Sequence, residues 1–155
     1  GKTFMENARI KAQAVELLCD DAVLADDSGL CVEALGGAPG IYSARYAGEG
    51  ASDEEKIGKL LSELDGETNR AAKFVTAIVF LYPDGREVTA SGEVCGRITT
   101  EPHGEGGFGY DPIFYSTELK KTFGEASAEE KNRISHRAKA LCALCEKLKA
   151  EKEGN

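Results

Sequence analysis

The sequence predicts a single α/β or α+β domain covering residues 1–155, built on a mixed rather than a purely parallel sheet. Three observations carry that reading. Ser/Thr-x-x-Glu boxes at Thr3–Glu6, Ser52–Glu55 and Ser127–Glu130 announce helices. A β-branched and aromatic run, "AAKFVTAIVFLY", meets a turn and then a partner run, "EVTASGEVCGRI". Helical and strand patterns also alternate: helix, strand, helix, long hairpin, helix.

In the first helix, Ala8, Ala12, Val15 and Leu18 or Cys19 recur at helical spacing, which predicts an end near Cys19-Asp20. A strand over Ala22–Ala25 follows and stops at Asp26-Asp27. "GGAPGIYSARYAGEG", residues 36–50, reads as an ordered loop without regular structure, anchored by Ile41, Tyr42 and Tyr46. The second helix turns Ile57, Leu60, Leu61 and Leu64 to the core. Pro83-Asp84-Gly85-Arg86 supplies the hairpin turn, and Gly92 and Gly96 in the returning strand signal a bulge or a close backbone approach. A second glycine cluster, "PHGEGGFGYDPIFY", leads to a final helix starting at Ser127, with Ile134, Ala138, Leu141, Cys145 and Leu148 on one face. The terminal "KAEKEGN" is polar and predicted to fray.

A composition 41% hydrophobic and 30% charged belongs to the soluble globular class, and 155 residues suffice for one real core. No apolar run approaches a membrane span and no basic-then-apolar leader opens the sequence, so a cytoplasmic protein without a membrane partner is expected. The net charge of −8 argues against broad nucleic-acid binding but leaves room for a small polyanion held with a metal ion. The five cysteines, odd in number and widely spread, read as reduced thiols. Cys142 and Cys145 form a CxxC inside a helical stretch with no second pair nearby, which favours core packing over a metal site.

Three stretches carry chemistry. Asp26 and Asp27 beside Gly29 suit magnesium, which prefers oxygen ligands and bridges carboxylates to phosphates; a carboxylate there could also take a proton from water. A strand-end turn capped by either aspartate is the structural alternative. "GGFGYDP" offers stacking faces at Phe108 and Tyr110 and an acceptor at Asp111, which suits a nucleobase or simply a tight aromatic turn. "EEKNRISHRAKAL" brings Lys131, His136 and Arg137 into the first turns of the last helix, where free N–H groups already favour anions.

Taken together and in order, "TFMENARIKA", "ADDSGL", "GGAPGIYSARYAG", "GGFGYDPIF" and "EEKNRISHRAKAL" resemble the inosine/xanthosine triphosphate pyrophosphatase family, from Gly1 to about Leu148. The resemblance implies an elongated, two-lobed fold with a cleft between the lobes, and a homodimer. It implies Mg²⁺-dependent hydrolysis of deaminated purine nucleoside triphosphates (ITP, dITP, XTP) to monophosphate and pyrophosphate, which cleanses the nucleotide pool. By motif position, Asp27 is the proton acceptor and a metal ligand, and Asp26 assists with metal or water. Ser28 and Lys131 contact substrate, Phe108, Gly109, Tyr110 and Asp111 line the base pocket, and His136 and Arg137 recognise the base. A 6-keto purine pairs with donors such as Arg137, whereas adenine would leave them unpaired in a buried site.

The family pattern opens with a strand, a Ser/Thr-x-Asn-x-x-Lys loop for the triphosphate, and a second strand with an acidic metal ligand. This sequence opens at Gly1-Lys2-Thr3-Phe4, after those elements, and Lys2 belongs to a different motif. The expectation is an N-terminally incomplete fold with an exposed sheet edge, in which metal binding and base recognition survive better than cleavage. Two alternatives to an active pyrophosphatase stand: a catalytically impaired nucleotide-binding remnant, and an aspartyl-phosphate type of Mg²⁺ phosphohydrolase. The latter ranks last because its chemistry calls for Asp-x-Asp rather than adjacent aspartates.

Overall fold

The structure, a computed structural model, describes residues 1–154. In chain order its elements are α1 (Phe4–Glu16), β1 (Val23–Val32), α2 (Asp53–Glu63), β2 (Ala71–Leu81), β3 (Glu87–Ile98), β4 (Phe114–Ser116), β5 (Lys121–Thr122), α3 (Ala128–Ile134) and α4 (His136–Glu153). Short 3-10 turns occupy Glu33–Leu35, Gly40–Arg45 and Asp111–Ile113. The strands form one sheet in the order β1-β2-β3-β4-β5. β3 and β4 run antiparallel with Arg97 opposite Tyr115, and β4 and β5 likewise with Tyr115 opposite Thr122. The predicted hairpin is present: the Tyr82 N–H donates to the Arg86 carbonyl at 2.9 Å and the Gly85 N–H to the Tyr82 carbonyl at 3.0 Å.

The chain divides into two compact units, one of residues 1–28, 75–93 and 136 onward, the other of residues 29–74 and 94–135. In the first, β2 is apolar on consecutive residues because both of its faces are covered. Val79 and Leu81 join Val23 against Ala8 and Ala12 of α1, while Ile78, Val88 and Ala90 pack on Ala140 and Leu144 of α4. Alanines at both helix contacts let the helices come close to the sheet. The closest approach is at Gly92 in β3, where a Cβ would stand 2.4 Å from Ala140 N and 2.5 Å from His136 O. The first turn of α4 therefore rests on bare strand backbone.

Thr3 caps α1 by accepting the Glu6 N–H at 3.0 Å, but Glu6 reaches back to the Lys2 N–H at 2.6 Å rather than to that of Thr3. The helix stops at Glu16, short of the expected Cys19-Asp20, and Leu17 and Leu18 are 85% exposed. The predicted final helix is two helices. Ser135 is extended (φ −58°, ψ 154°), so α3 closes on it and α4 starts afresh at His136. Leu141, Cys142 and Cys145 are exposed on α4 rather than packed in the core, whose contacts come from Ala140 and Leu144. Through the polar tail α4 continues to Glu153, and Asn155 lies outside the described residues.

The second unit is built around Phe74, Phe114 and Phe123. Phe114 lies 4.6 Å from Phe74 and 5.0 Å from Phe123, centroid to centroid, and Phe74 and Phe123 stack at 6.0 Å. Leu30, Val32, Leu60, Leu64, Val94, Ile98 and Ile113 complete this core. Fully burying such side chains is worth about 1.5–3 kcal/mol each. α2 carries both halves of its capping box, Glu55 N–H to Ser52 Oγ at 3.1 Å and Ser52 N–H to the Glu55 carboxylate at 2.7 Å. The glycine-rich stretch 36–50 is ordered as expected, though part of it is a regular 3-10 turn whose buried Ser43 Oγ accepts the Leu30 N–H at 2.9 Å. Among the described residues no helix is long and apolar enough to cross a membrane.

Candidate functional site

Asp26, Asp27 and Ser28 lie in the middle of β1, not at the end of a strand as the sequence suggested. The strand runs on because Leu30 and Val32 are fully buried core residues, and their burial outweighs the poor strand propensity of two aspartates. Successive side chains of a strand point to opposite faces, and the two carboxylates engage different helices accordingly. Asp27, only 16% exposed, takes the α1 side: Lys11 Nζ stands 3.0 Å from Oδ1, and Asn7 Nδ2 donates to Oδ2 at 3.3 Å. Asn7 and Lys11 are i, i+4 neighbours on one helix face. Lys11 also donates to the Asp26 carbonyl at 3.0 Å.

Asp26 and Ser28, two residues apart, share the α4 side. Arg137 donates through Nε to Asp26 Oδ2 at 3.3 Å and through its terminal nitrogen to Ser28 Oγ at 3.4 Å. Each aspartate thus has its own cation. His136, half-buried, opens α4 next to Arg137. In this unit the fold brings together Asp26, Asp27, Ser28 and Arg137, and adds Asn7 and Lys11, whose role is not legible in the quoted "TFMENARIKA" although both stand in it.

The second unit holds Phe108, Gly109, Tyr110, Asp111 and Lys131. Asp111 is 3% exposed and organises the loop: its Oδ2 accepts the Phe108 N–H at 3.0 Å and pairs with Lys131 Nζ at 2.5 Å. Gly107 (φ +71°) permits this turn, since a Cβ there would meet Asp111 Oδ2 at 2.1 Å. Tyr110 is buried and donates its hydroxyl to the Ser43 carbonyl at 2.7 Å. Burial, and secondarily the charge of Asp53, pushes its phenol well above the usual range, so it remains a neutral donor. The polar atoms of Tyr110, Asp111 and Lys131 are therefore turned toward the protein, and the loop presents Phe108, 65% exposed, with Lys131 Nζ 4.4 Å from its ring centroid.

Asp53, at the start of α2, ties the loop from outside by accepting the Gly109 N–H at 2.8 Å. Its hydrogen bond with Lys56, followed by that from Gly109, holds its carboxyl below the usual aspartate range. Asp53 stands in the Ser52–Glu55 capping box and Ser43 in the quoted "GGAPGIYSARYAG", but their supporting role is not legible there, because each acts through a partner more than 50 positions away.

The donor set on β1 suits a hard divalent cation. Both carboxylates are partly exposed and paired to cations across 3.0–3.3 Å contacts, and magnesium requires only one or two protein carboxylates beside water and phosphate oxygens. Among the described residues no three His, Cys, Asp or Glu side chains gather as a closed cage of the structural-zinc kind, Cys142 and Cys145 included.

A model of the Ham1 family matches residues 1–147. A dITP/XTP pyrophosphatase of Staphylococcus epidermidis is 51% identical over 151 residues, 97% of this chain and 77% of that protein. A dITP/XTP pyrophosphatase of Desulfotalea psychrophila is 52% identical over 144 residues, covering 93% of this chain but 65% of its own length. Among solved structures, the Ham1 protein of Staphylococcus aureus superposes with a TM-score of 0.93 at 50% identity, over 97% of this chain and 79% of that one. A HAM1 protein from Coxiella burnetii gives 0.92 at 42% identity, over 97% and 78%.

Proposed function

Because the chain belongs to the Ham1 family, we propose that it hydrolyses dITP, XTP and ITP to the monophosphate and pyrophosphate, with Mg²⁺, as a cytoplasmic homodimer. Its curated relatives carry the name dITP/XTP pyrophosphatase, and the observation that bears most on the chemistry is the separation of Asp27 and Asp26 onto two faces of one strand. A carboxylate held by Lys11 and Asn7 and one held by Arg137 can do different work.

Asp27 accepts the proton of the attacking water. The amide of Asn7 and the ammonium of Lys11 each hold one of its two oxygens in place. Magnesium, when bound at these carboxylates, would neutralise phosphate charge and make the water a better nucleophile. Asp26 holds Arg137 in place through Nε, and Ser28 stands beside the same guanidinium as a substrate contact. Arg137 and His136 offer donors to the 6-keto oxygen of a deaminated base, and adenine, with an amino group at that position, would leave them unpaired. In the other unit, Phe108 presents an exposed aromatic face of the kind on which a nucleobase stacks, on a turn that the contacts of Gly109, Tyr110, Asp111 and Lys131 hold in shape.

The test is pyrophosphate release from dITP, XTP and ITP, with dATP and dGTP as controls, in Mg²⁺ and in EDTA. Metal-dependent release selective for the deaminated bases, lost in Asp27→Ala, is expected; sedimentation should report a dimer. Tight nucleotide binding by a folded protein without any release would overturn the proposal in favour of a binding remnant.

A further inference from the structure

The second unit contains a concavity that takes no part in the site above. It measures about 420 Å³ and is walled by Arg70, Arg97, His103, Lys120, Lys121 and Glu125, with threonine hydroxyls between them. In a chain of net charge −8, four Lys and Arg residues converging on one cavity against a single carboxylate are a local inversion of sign. From this cluster we infer a second anion site, distinct from the candidate active site, that binds a multiply charged phosphate group.

The cations are not balanced from within. Lys121 is paired with Glu130 at 2.9 Å. Arg70 spends its donors on backbone carbonyls, Ile98 O at 2.7 Å, Thr99 O at 2.8 Å and Leu64 O at 3.0 Å, which fix the guanidinium without cancelling its charge. Arg97 lies over the Tyr115 ring at 4.3 Å, and among the described residues no carboxylate pairs with it or with Lys120. Glu125, the one acid on the wall, turns its carboxylate onto the Thr122 N–H at 3.0 Å. Three uncompensated cations thus face one engaged carboxylate. The Arg97 guanidinium and the Lys120 ammonium, with Arg70 contributing charge rather than free donors, suit tetrahedral phosphate oxygens better than a single planar carboxylate.

Lys120 adds a second, independent observation. Among the described residues it alone combines a side chain with a left-handed backbone, at φ 56°, in the turn between β4 and β5 where its N–H bonds the Ser116 carbonyl at 2.9 Å. Glycine would fit that conformation better. A lysine here is costly for the backbone and places an ammonium on the rim of the cavity. Strain of this kind gathers at sites where a side chain is needed.

The test titrates inorganic diphosphate, and in a separate arm ribose 5-phosphate, into the whole protein in EDTA, read by calorimetry. Lys120→Gly and Arg97→Gln should each weaken binding about tenfold, the loss of one charge-assisted contact. Lys120→Gly should melt no lower than the parent, because glycine relieves the strained turn; this separates loss of the ligand from loss of the fold. Binding of the ester as well as of diphosphate would assign phosphate esters to the site, and binding of diphosphate alone the inorganic anion. No binding to the parent protein overturns the inference. So does binding that both variants retain but Arg137→Ala loses, since the anion would then occupy the candidate active site.

Discussion

Replacing Gly92 by alanine tests whether the geometry around Arg137 is set by how closely α4 lies on β3. The new methyl would stand 2.4 Å from Ala140 N, 2.5 Å from His136 O and 2.9 Å from the carbonyl carbon of Lys139. Ordinary contact needs about 1 Å more, and every clashing atom is backbone, so no side chain can swing aside. The first turn of α4 must lift by about that amount. Arg137 now reaches Asp26 at 3.3 Å and Ser28 at 3.4 Å, and a displacement of about 1 Å carries it beyond hydrogen-bond range of both. Overpacking of this sort costs about 1–3 kcal/mol, and a misplacement of about 1 Å at an active site costs about 100-fold in rate. We expect kcat/KM for dITP to fall by about 100-fold and Tm to drop by at least about 2 °C, measured by pyrophosphate release and thermal melting. Unchanged Tm would refute the close contact. A lower Tm with undiminished kcat/KM would refute its link to the site.

Three further outcomes follow from the same structure. Lys131→Met leaves the buried Asp111 carboxylate without its cation and should cost about 3–5 kcal/mol in urea unfolding, far more than a surface lysine. Thr76→Val removes a fully buried hydroxyl that lacks a hydrogen-bond partner and keeps the side-chain shape, so chemical denaturation should show a gain of about 1 kcal/mol. Asp53 is ionised more readily folded than unfolded, so its contribution is complete above the ordinary aspartate range and disappears as pH falls through its depressed folded value. Asp53→Asn should flatten that part of the acid-stability profile and raise hydrogen exchange at the Gly109 amide.

What the sequence made legible was local. The hairpin from 71 to 98 and the caps at Ser52 and Ser127 stand as read, because turn chemistry and capping boxes act over a few residues. Thr3 also caps as read, though Glu6 answers one residue early. Local propensity ends the strand at Asp26-Asp27 because two aspartates are poor strand formers, and only the tertiary burial of Leu30 and Val32 overrules them. The break at Ser135 leaves no mark in the sequence because "NRISHRAKAL" keeps helical spacing across it, and the close packing of α4 on Gly92 is not written in either segment alone. For the site, motif order pointed to Asp27, Phe108 and Arg137. It did not reveal that Asp26 and Asp27 answer to different helices, nor that Ser43 and Asp53 steady the aromatic turn.

The alternation along β1 has a consequence for how the chain can change. Ser43 pins the strand at Leu30, accepting its N–H, and Cys31 bridges to Pro39 beside it. With that anchor fixed, the identity of the two aspartates' neighbours depends only on the number of residues between them and Leu30. Inserting one residue in that interval would keep both aspartates yet move Asp27 into the place of Asp26, set against Arg137, and leave Ser28 facing Lys11. A deletion would instead bring Asp26 into the place of Asp27, so lengthening the interval by one residue costs the α1 side its carboxylate and shortening it does not.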